Sequence, residues 1–133
     1  MIKLEIVDTV YIIAYLRPSD PLHTKAMEIM KSLNVKRKIS QVSLIELDLL
    51  MKSRGFNSRE KLKTWNLLEK IVSKEMVEPI IPQDFAKAIT LVKKYGLDYF
   101  DALITAQCIV RMANPITTDQ EILKAFTSEI KAL

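Results

Sequence analysis

Four acidic residues stand inside or against apolar runs: Asp8 in IVDTVYII, Glu46 in VSLIELDLL, Asp101 in DYFDALITAQ and Asp119 in PITTDQEIL. A carboxylate in such surroundings is costly unless it is hydrogen-bonded, paired or bound to a cation. Two unit charges about 4 Å apart repel by roughly 4 kcal/mol at an effective dielectric of about 20, so four acids brought together need a cation or raised pKa values. Their donors are hard oxygens with no histidine or cysteine beside them, which points to Mg²⁺ or Mn²⁺. A metal ion held by carboxylates beside a basic surface is equipment for phosphodiester hydrolysis. The spacings between the four are long and irregular, so only the fold can gather them.

Each acid taken alone also fits a helix cap. Asp8 suits the N-cap of the helix that follows it. Ser43-Leu44-Ile45-Glu46 matches a capping box, and Thr118-Asp119-Gln120-Glu121 matches another with Glu121 in the N3 role. Asp98 suits the cap of the helix bearing Asp101, and both acids suit its dipole. Caps explain acids at helix starts, but they do not require them at four crossovers on one rim.

The elements that must position these acids alternate along the chain. Residues 2–7 (IKLEIV) predict a strand, and TVYIIAYL continues at helical spacing to the break at Pro18. A helix follows over 21–33, with Leu22, Ala26, Ile29, Met30 and Leu33 on one face. Residues 38–40 predict a short strand leading into VSLIELDLLMKSR, a helix that Gly55 ends. The next helix, NSREKLKTWNLLEKIVSKE, spaces Leu62, Trp65, Leu68 and Val72 as one buried stripe. MVEPII predicts a strand that Pro79 confines to an edge. Helices over 83–95 and 98–112, the strand PITT, the short helix DQEILKAF and a last strand in SEIKAL complete the pattern. Short strands alternating with helices predict an α/β fold of three layers with parallel crossovers, whose crevice lies at the carboxyl ends of the strands.

The scarce residues exclude several function classes. A chain of 133 residues, 49% apolar and 27% charged, predicts one globular domain over 1–133. One cysteine, Cys108, allows no internal disulfide and no CxxC metal site; it is expected to pack as a small apolar residue. Two glycines, Gly55 and Gly96, cannot write a Walker A loop or a GxGxxG turn. The single histidine, His23, has no nucleophile-elbow pattern around it and is expected at a helix surface or in packing. No apolar stretch reaches the length of a membrane span, and no secretory signal opens the chain, so a cytoplasmic protein is expected. The net charge of +4 is unevenly placed. Lys36, Arg37 and Lys38 are consecutive, Lys52 and Arg54 follow, and Lys93 and Lys94 pair again; such clusters suit phosphate contacts or solvated faces.

In this order, IVDTVYIIAYL, ISQVSLIELDLL, DYFDALITAQ and PITTDQEIL resemble the motifs of the PIN domain, over nearly the whole chain. The size resembles that of a VapC-type toxin of a toxin-antitoxin pair. This resemblance implies a metal-dependent ribonuclease with a small central parallel sheet flanked by helices. Asp8, Glu46, Asp101 and Asp119 match the family's acidic quartet; Asp8, Asp101 and Asp119 would bind one Mg²⁺ or Mn²⁺ directly, with Glu46 completing the site or reaching a second ion. Thr9 matches the small hydroxyl residue after the first acid, Thr117 the threonine two places before the last, and Asp98 takes a supporting or capping role. Thr118 stands where the motif usually has a basic residue, which bears on a local phosphate contact and not on the metal site.

The resemblance also implies partners: an RNA substrate, single-stranded or looped, a second copy of the chain in a homodimer, and an antitoxin whose C-terminal segment lies across the site. Lys36, Arg37, Lys38, Lys52 and Arg54 are the candidate contacts to the RNA backbone, and the helices bearing Leu49, Leu50, Met51 and Trp65 the candidate groove for the antitoxin. An RNA-processing nuclease or a catalytically silent scaffold would keep the same fold. A signalling receiver domain would need an acidic pair at the first strand and an aspartate near MVEPII, and the chain has neither.

Overall fold

A computed structural model describes residues 3–133. Four short parallel strands make one sheet: β1 (Glu5–Val7), β2 (Arg37–Ser40), β3 (Val77–Glu78) and β4 (Asn114–Ile116), in the order β3-β2-β1-β4. In the register, Val7 lies beside Ile39 on one side and Ile116 on the other, so the strands end together along one edge. Among the described residues seven α-helices cover the sheet: α1 (Thr9–Leu16), α2 (His23–Lys31), α3 (Gln41–Ser53), α4 (Ser58–Ile71), α5 (Pro82–Tyr95), α6 (Tyr99–Arg111) and α7 (Gln120–Lys131).

The central strand β1 and the end of β2 are buried on both faces, as parallel strands between helical layers are, while the edge strands β3 and β4 are half-buried or more exposed. Successive side chains alternate across the sheet. Val7 and Ile39 enter a core with Tyr11 and Ile12 of α1, Ile29 and Met30 of α2, and Leu47 and Met51 of α3. Ile6 turns the other way, toward Cys108 and Ala113. On that second side α5, α6 and α7 pack through Leu91, Leu103, Ile104, Ile109 and Ala125. The expected three-layer α/β/α arrangement is what the chain adopts, with Cys108 buried inside α6 and His23 opening α2, its Nδ1 2.8 Å from the Ala14 carbonyl oxygen.

Several elements differ from the sequence expectation. SEIKAL forms no strand; α7 runs on to Lys131 because Ile122, Ala125 and Glu129 recur at helical spacing along its inner side. Glu129 accepts hydrogen bonds there from Lys87 Nζ, Lys94 Nζ and Tyr95 Oη at 2.7–2.9 Å. The strand expected over 76–81 shrinks to Val77–Glu78. It is the edge strand, as Pro79 requires, and past it side chains replace the ladder: Gln107 Nε2 donates to the Pro79 carbonyl at 3.1 Å, and Ile80 N donates to Gln41 Oε1 at 2.7 Å. The first strand begins at Glu5, and Ile2 lies outside the described residues. In the expected stripe of α4, Leu68 is buried and Trp65 and Val72 half-buried, but Leu62 is 60% exposed.

Candidate active site

Parallel topology starts the three crossovers and the closing helix α7 from the same edge of the sheet, and each predicted acid belongs to one of the segments that leave it. Asp8 follows β1 directly and caps α1, its Oδ1 accepting Thr9 N–H at 2.7 Å. Its own N–H donates to the Ile116 carbonyl at 2.9 Å, which fixes the end of β1 against β4. Asp8 is buried, only 6% exposed. Asp119 follows β4 and caps α7, accepting the N–H groups of Glu121 and Ile122 at 2.9 and 3.2 Å. Thr117 joins the two acids: its hydroxyl donates to Asp8 Oδ2 at 2.7 Å and accepts the Asp119 N–H at 3.0 Å.

The third and fourth acids arrive on helices. Ser40 ends β2 and caps α3, so Glu46 stands in the second turn and belongs to no capping box. The Ser43-to-Glu46 box expected from sequence is displaced by this earlier cap. Glu46 instead accepts the Thr9 hydroxyl at 2.6 Å, linking α3 to α1. Asp98 caps α6 by accepting the Asp101 N–H at 2.9 Å, and Asp101 is left half-buried in the first turn with its carboxylate unused by the cap. The capping reading therefore holds for Asp8 and Asp98 and fails for Glu46; at α7 the cap is Asp119 itself, which displaces the expected Thr118-to-Glu121 box by one residue, and Asp101 stands in the first turn of α6, where its charge suits the dipole. At Asp8 and Asp119 a cap and a place on the rim are compatible, because a carboxylate has acceptor sites to spare after bonding a helix N–H.

Electrostatics reports the same gathering. Burial pushes the Asp8 carboxyl up, against the lowering pull of its bonds to Thr117 and Thr9, and the Asp119 and Asp98 charges push it further. Burial also raises Glu46, the Thr9 bond opposing, with added repulsion from Asp8 and Asp98. Asp101 is raised to about 8, by burial first and then by the charges of Asp98, Asp119 and Asp8. Acids that feel one another this way are neighbours across an unneutralised rim.

A divalent cation fits this rim by donor chemistry: hard carboxylate oxygens, partly desolvated, mutually repelling, with His23 on another helix and Cys108 buried. The side chains are not already closed around an ion position. Among the described residues no group of three or more His, Cys, Asp or Glu side chains stands that close together.

The basic residues singled out from sequence divide. Lys36, Arg37 and Lys38 stand at the start of β2, the end of the strand away from the acids. Arg37 Nε bonds Glu5 at 2.8 Å, and Lys38 Nζ bonds Glu78 at 3.3 Å. Lys52 and Arg54 are exposed at the end of α3. Arg54 lines a cleft of about 350 Å³ between α1, α3 and α4, whose apolar walls include Ile13, Leu47, Leu50, Met51 and Leu67, and which also carries Arg17 and Lys63. Of the candidate groove residues, Leu50 and Met51 line it. Trp65 and Leu49 do not, and Trp65 Nε1 donates to Asp48 at 3.3 Å. Sequence reasoning missed Ser43 as a site residue. Its spacing to Glu46 signals a capping box, and only the fold brings its hydroxyl to Thr9.

The model of the PIN domain family matches residues 6–126, and the chain belongs to that family. Solved structures of the same fold include FitAcB from Neisseria gonorrhoeae, at 20% identity and a TM-score of 0.69, covering 93% of this chain and 94% of that one. VapC20 from Mycobacterium tuberculosis, a toxin that cleaves the sarcin-ricin loop, is similar at 23% identity and a TM-score of 0.67, over 91% and 94% of the two chains. VapBC2 from Rickettsia felis, bound to a DNA fragment from its promoter, is similar at 15% identity and 0.64, over 91% of each chain. No curated protein sequence matches the chain.

Proposed function

We propose that this PIN domain is a Mg²⁺- or Mn²⁺-dependent endoribonuclease and the toxin of a VapBC-type toxin-antitoxin pair. The observation that carries the reading is the rim itself, where the segments after the four strands bring Asp8, Glu46, Asp101 and Asp119 to one edge of the sheet, and burial first and neighbouring acid charges second raise Asp8, Glu46 and Asp101. Asp8, Asp101 and Asp119 would hold the ion, with Glu46 completing the site. A divalent cation held there supplies Lewis-acid stabilisation of the phosphate and a water acidic enough to serve as nucleophile at neutral pH.

The chain's own residues orient and hold protons. Thr9 N–H and the Thr117 hydroxyl fix both oxygens of Asp8, and the Thr9 hydroxyl fixes one oxygen of Glu46. Asp101, raised to about 8, holds its proton near neutrality, and would give it up on binding a cation. No protein nucleophile is needed: Cys108 is buried, and its thiol is pushed up by that burial. Hydrolysis of this kind leaves a 5′-phosphate and a 3′-hydroxyl. A rim site suits single-stranded or looped RNA, since the deep groove of an RNA duplex admits no side chains. Lys52 and Arg54, exposed at the C-terminal end of the helix that carries Glu46, and Lys36, Arg37 and Lys38, at the start of β2, would contact RNA that extends beyond the rim.

The cleft between α1, α3 and α4 supports the antitoxin part of the reading. Its wall includes Leu47, the residue next to Glu46 on α3, so an apolar segment lying in it would run beside the helix that carries Glu46. For the second copy, α5 turns Phe85, Ile89 and Val92 outward at 44%, 70% and 43% exposure, an uncharged stripe that can face itself across a two-fold axis. Ile89→Glu is accordingly expected to weaken self-association by at least about tenfold, read by analytical ultracentrifugation, because a carboxylate at the centre of such a patch must be desolvated.

Incubation of a labelled single-stranded RNA with the purified protein tests the activity. Products with 5′-phosphate ends are expected, and 2′,3′-cyclic phosphate ends would contradict the chemistry. A small neighbouring gene whose product binds the protein and silences cleavage is expected for the toxin reading. An active enzyme with no such neighbour is an RNA-processing nuclease instead.

A further inference from the structure

Ser43 is fully buried in α3 and caps nothing, since Ser40 holds that position. A helical serine with no other partner ordinarily bonds the carbonyl one turn back, as Thr105 does here with the Asp101 carbonyl at 2.7 Å. Ser43 does not. Its Oγ lies 2.8 Å from Thr9 Oγ1, its one hydrogen-bond partner among the described residues, and Thr9 Oγ1 lies 2.6 Å from Glu46 Oε1.

Proton counting sets the direction of this chain of bonds. A threonine hydroxyl has one proton to give. An ionised carboxylate only accepts, and it makes the stronger bond, so the Thr9 proton goes to Glu46. The Ser43 proton then has Thr9 Oγ1 as the acceptor within reach. The order is Ser43 to Thr9 to Glu46, crossing from α3 to α1 and back.

We infer that Ser43 is a positioning residue, which holds the Thr9 hydroxyl in the one orientation that donates to Glu46 and so ties down Oε1, leaving Oε2 free for an ion. The inference rests on the metal-dependent reading for its purpose, but not for its geometry. Without the Ser43 hydroxyl, Thr9 can rotate and Glu46 gains freedom that metal binding must remove. Without the Thr9 hydroxyl, Ser43 has nothing left to transmit. The two residues therefore act as one unit, and their effects should not add.

The test compares Ser43→Ala, Thr9→Val and the double variant with wild type. Mn²⁺ affinity is read by calorimetry, the Glu46 side-chain ¹³Cδ signal by NMR of metal-free protein at one fixed pH, and folding by melting temperature. Ser43→Ala is expected to weaken Mn²⁺ binding roughly tenfold and to move the Glu46 signal in the direction Thr9→Val moves it. The double variant is expected to bind no more weakly than Thr9→Val alone. A Ser43→Ala protein, folded and with wild-type Mn²⁺ affinity and an unmoved Glu46 signal, would overturn the inference, as would losses that simply add. If wild type binds no Mn²⁺, the metal-dependent reading fails, and the Glu46 signal still decides whether Ser43 acts through Thr9.

Discussion

Asp101→Asn is expected to lose RNA cleavage by about 100-fold or more, and yet to melt higher than wild type when metal is chelated. The two effects have one cause. Asp101 is half-buried and faces Asp98, Asp119 and Asp8, so its carboxyl is raised from 3.8 to about 8 in the folded chain. A raised carboxyl contributes stability that is fully present below its ordinary pKa and is lost as pH rises through the folded value. The advantage of asparagine over aspartate should therefore be absent near pH 4, grow through neutrality and level off above about 8. After discounting for solvent around a half-exposed group, its full size is about 1 kcal/mol, or about 4 °C in a domain of this length. Melting curves in EDTA at pH 4, 6 and 8 measure it. A site that trades stability for an arrangement of like charges is what a cation-binding rim requires, and a difference independent of pH would show that Asp101 is not held in that field.

Arg111→Ala is expected to give the largest loss of stability, about 3–5 kcal/mol, without touching the rim. The guanidinium is 13% exposed and grips Asp84 with two parallel bonds, Nη1 to Oδ1 at 2.7 Å and Nη2 to Oδ2 at 3.0 Å. Its Nε bonds Glu78 Oε2 at 2.5 Å. Asp84 is fully buried, and its other task is to accept the Ile81 N–H at the start of α5. Removing arginine leaves that carboxylate in the interior without a counterion, which costs far more than the pair contributed. Urea denaturation should show the midpoint falling with the slope unchanged. Arg111→Ala combined with Asp84→Ala should recover part of the loss, because the stranded charge goes with its partner.

The alternation of strands and helices was legible because apolar runs of different period follow one another with clear stops at Pro18 and Gly55. The places of Asp8 and Asp119 were legible for the same reason: once the strands are parallel, residues that follow strand ends share an edge whatever their separation in the chain, whereas Glu46 and Asp101 reach that edge from helices. Distances were not legible. Nothing in SLIE distinguishes a capping box from a buried hydroxyl aimed at Thr9, because the difference lies in whether the cap sits at Ser40 or Ser43. SEIKAL is too short to show a period of its own, and the ion pairs of Glu129 with α5 reveal that the helix continues. Lys36, Arg37 and Lys38 read as a phosphate patch, but two of the three have acidic partners brought by other strands. Leu62 shares the spacing of Leu68 on α4 and still faces outward, because spacing fixes a helix face and not what covers it.

The central claim is tested most directly by incubating a labelled single-stranded RNA with wild type and with Asp8→Asn, each with Mg²⁺, with Mn²⁺ and with EDTA, alongside calorimetry of metal binding. Asp8 is the acid most completely fixed by the fold, through Thr9, Thr117 and the Ile116 carbonyl, and asparagine keeps its shape while removing its charge. The account predicts cleavage by wild type that needs the metal, leaves 5′-phosphate ends and is abolished by the substitution. Wild type that binds no metal and leaves varied RNAs uncut, or an Asp8→Asn protein that cuts as well as wild type, would contradict it.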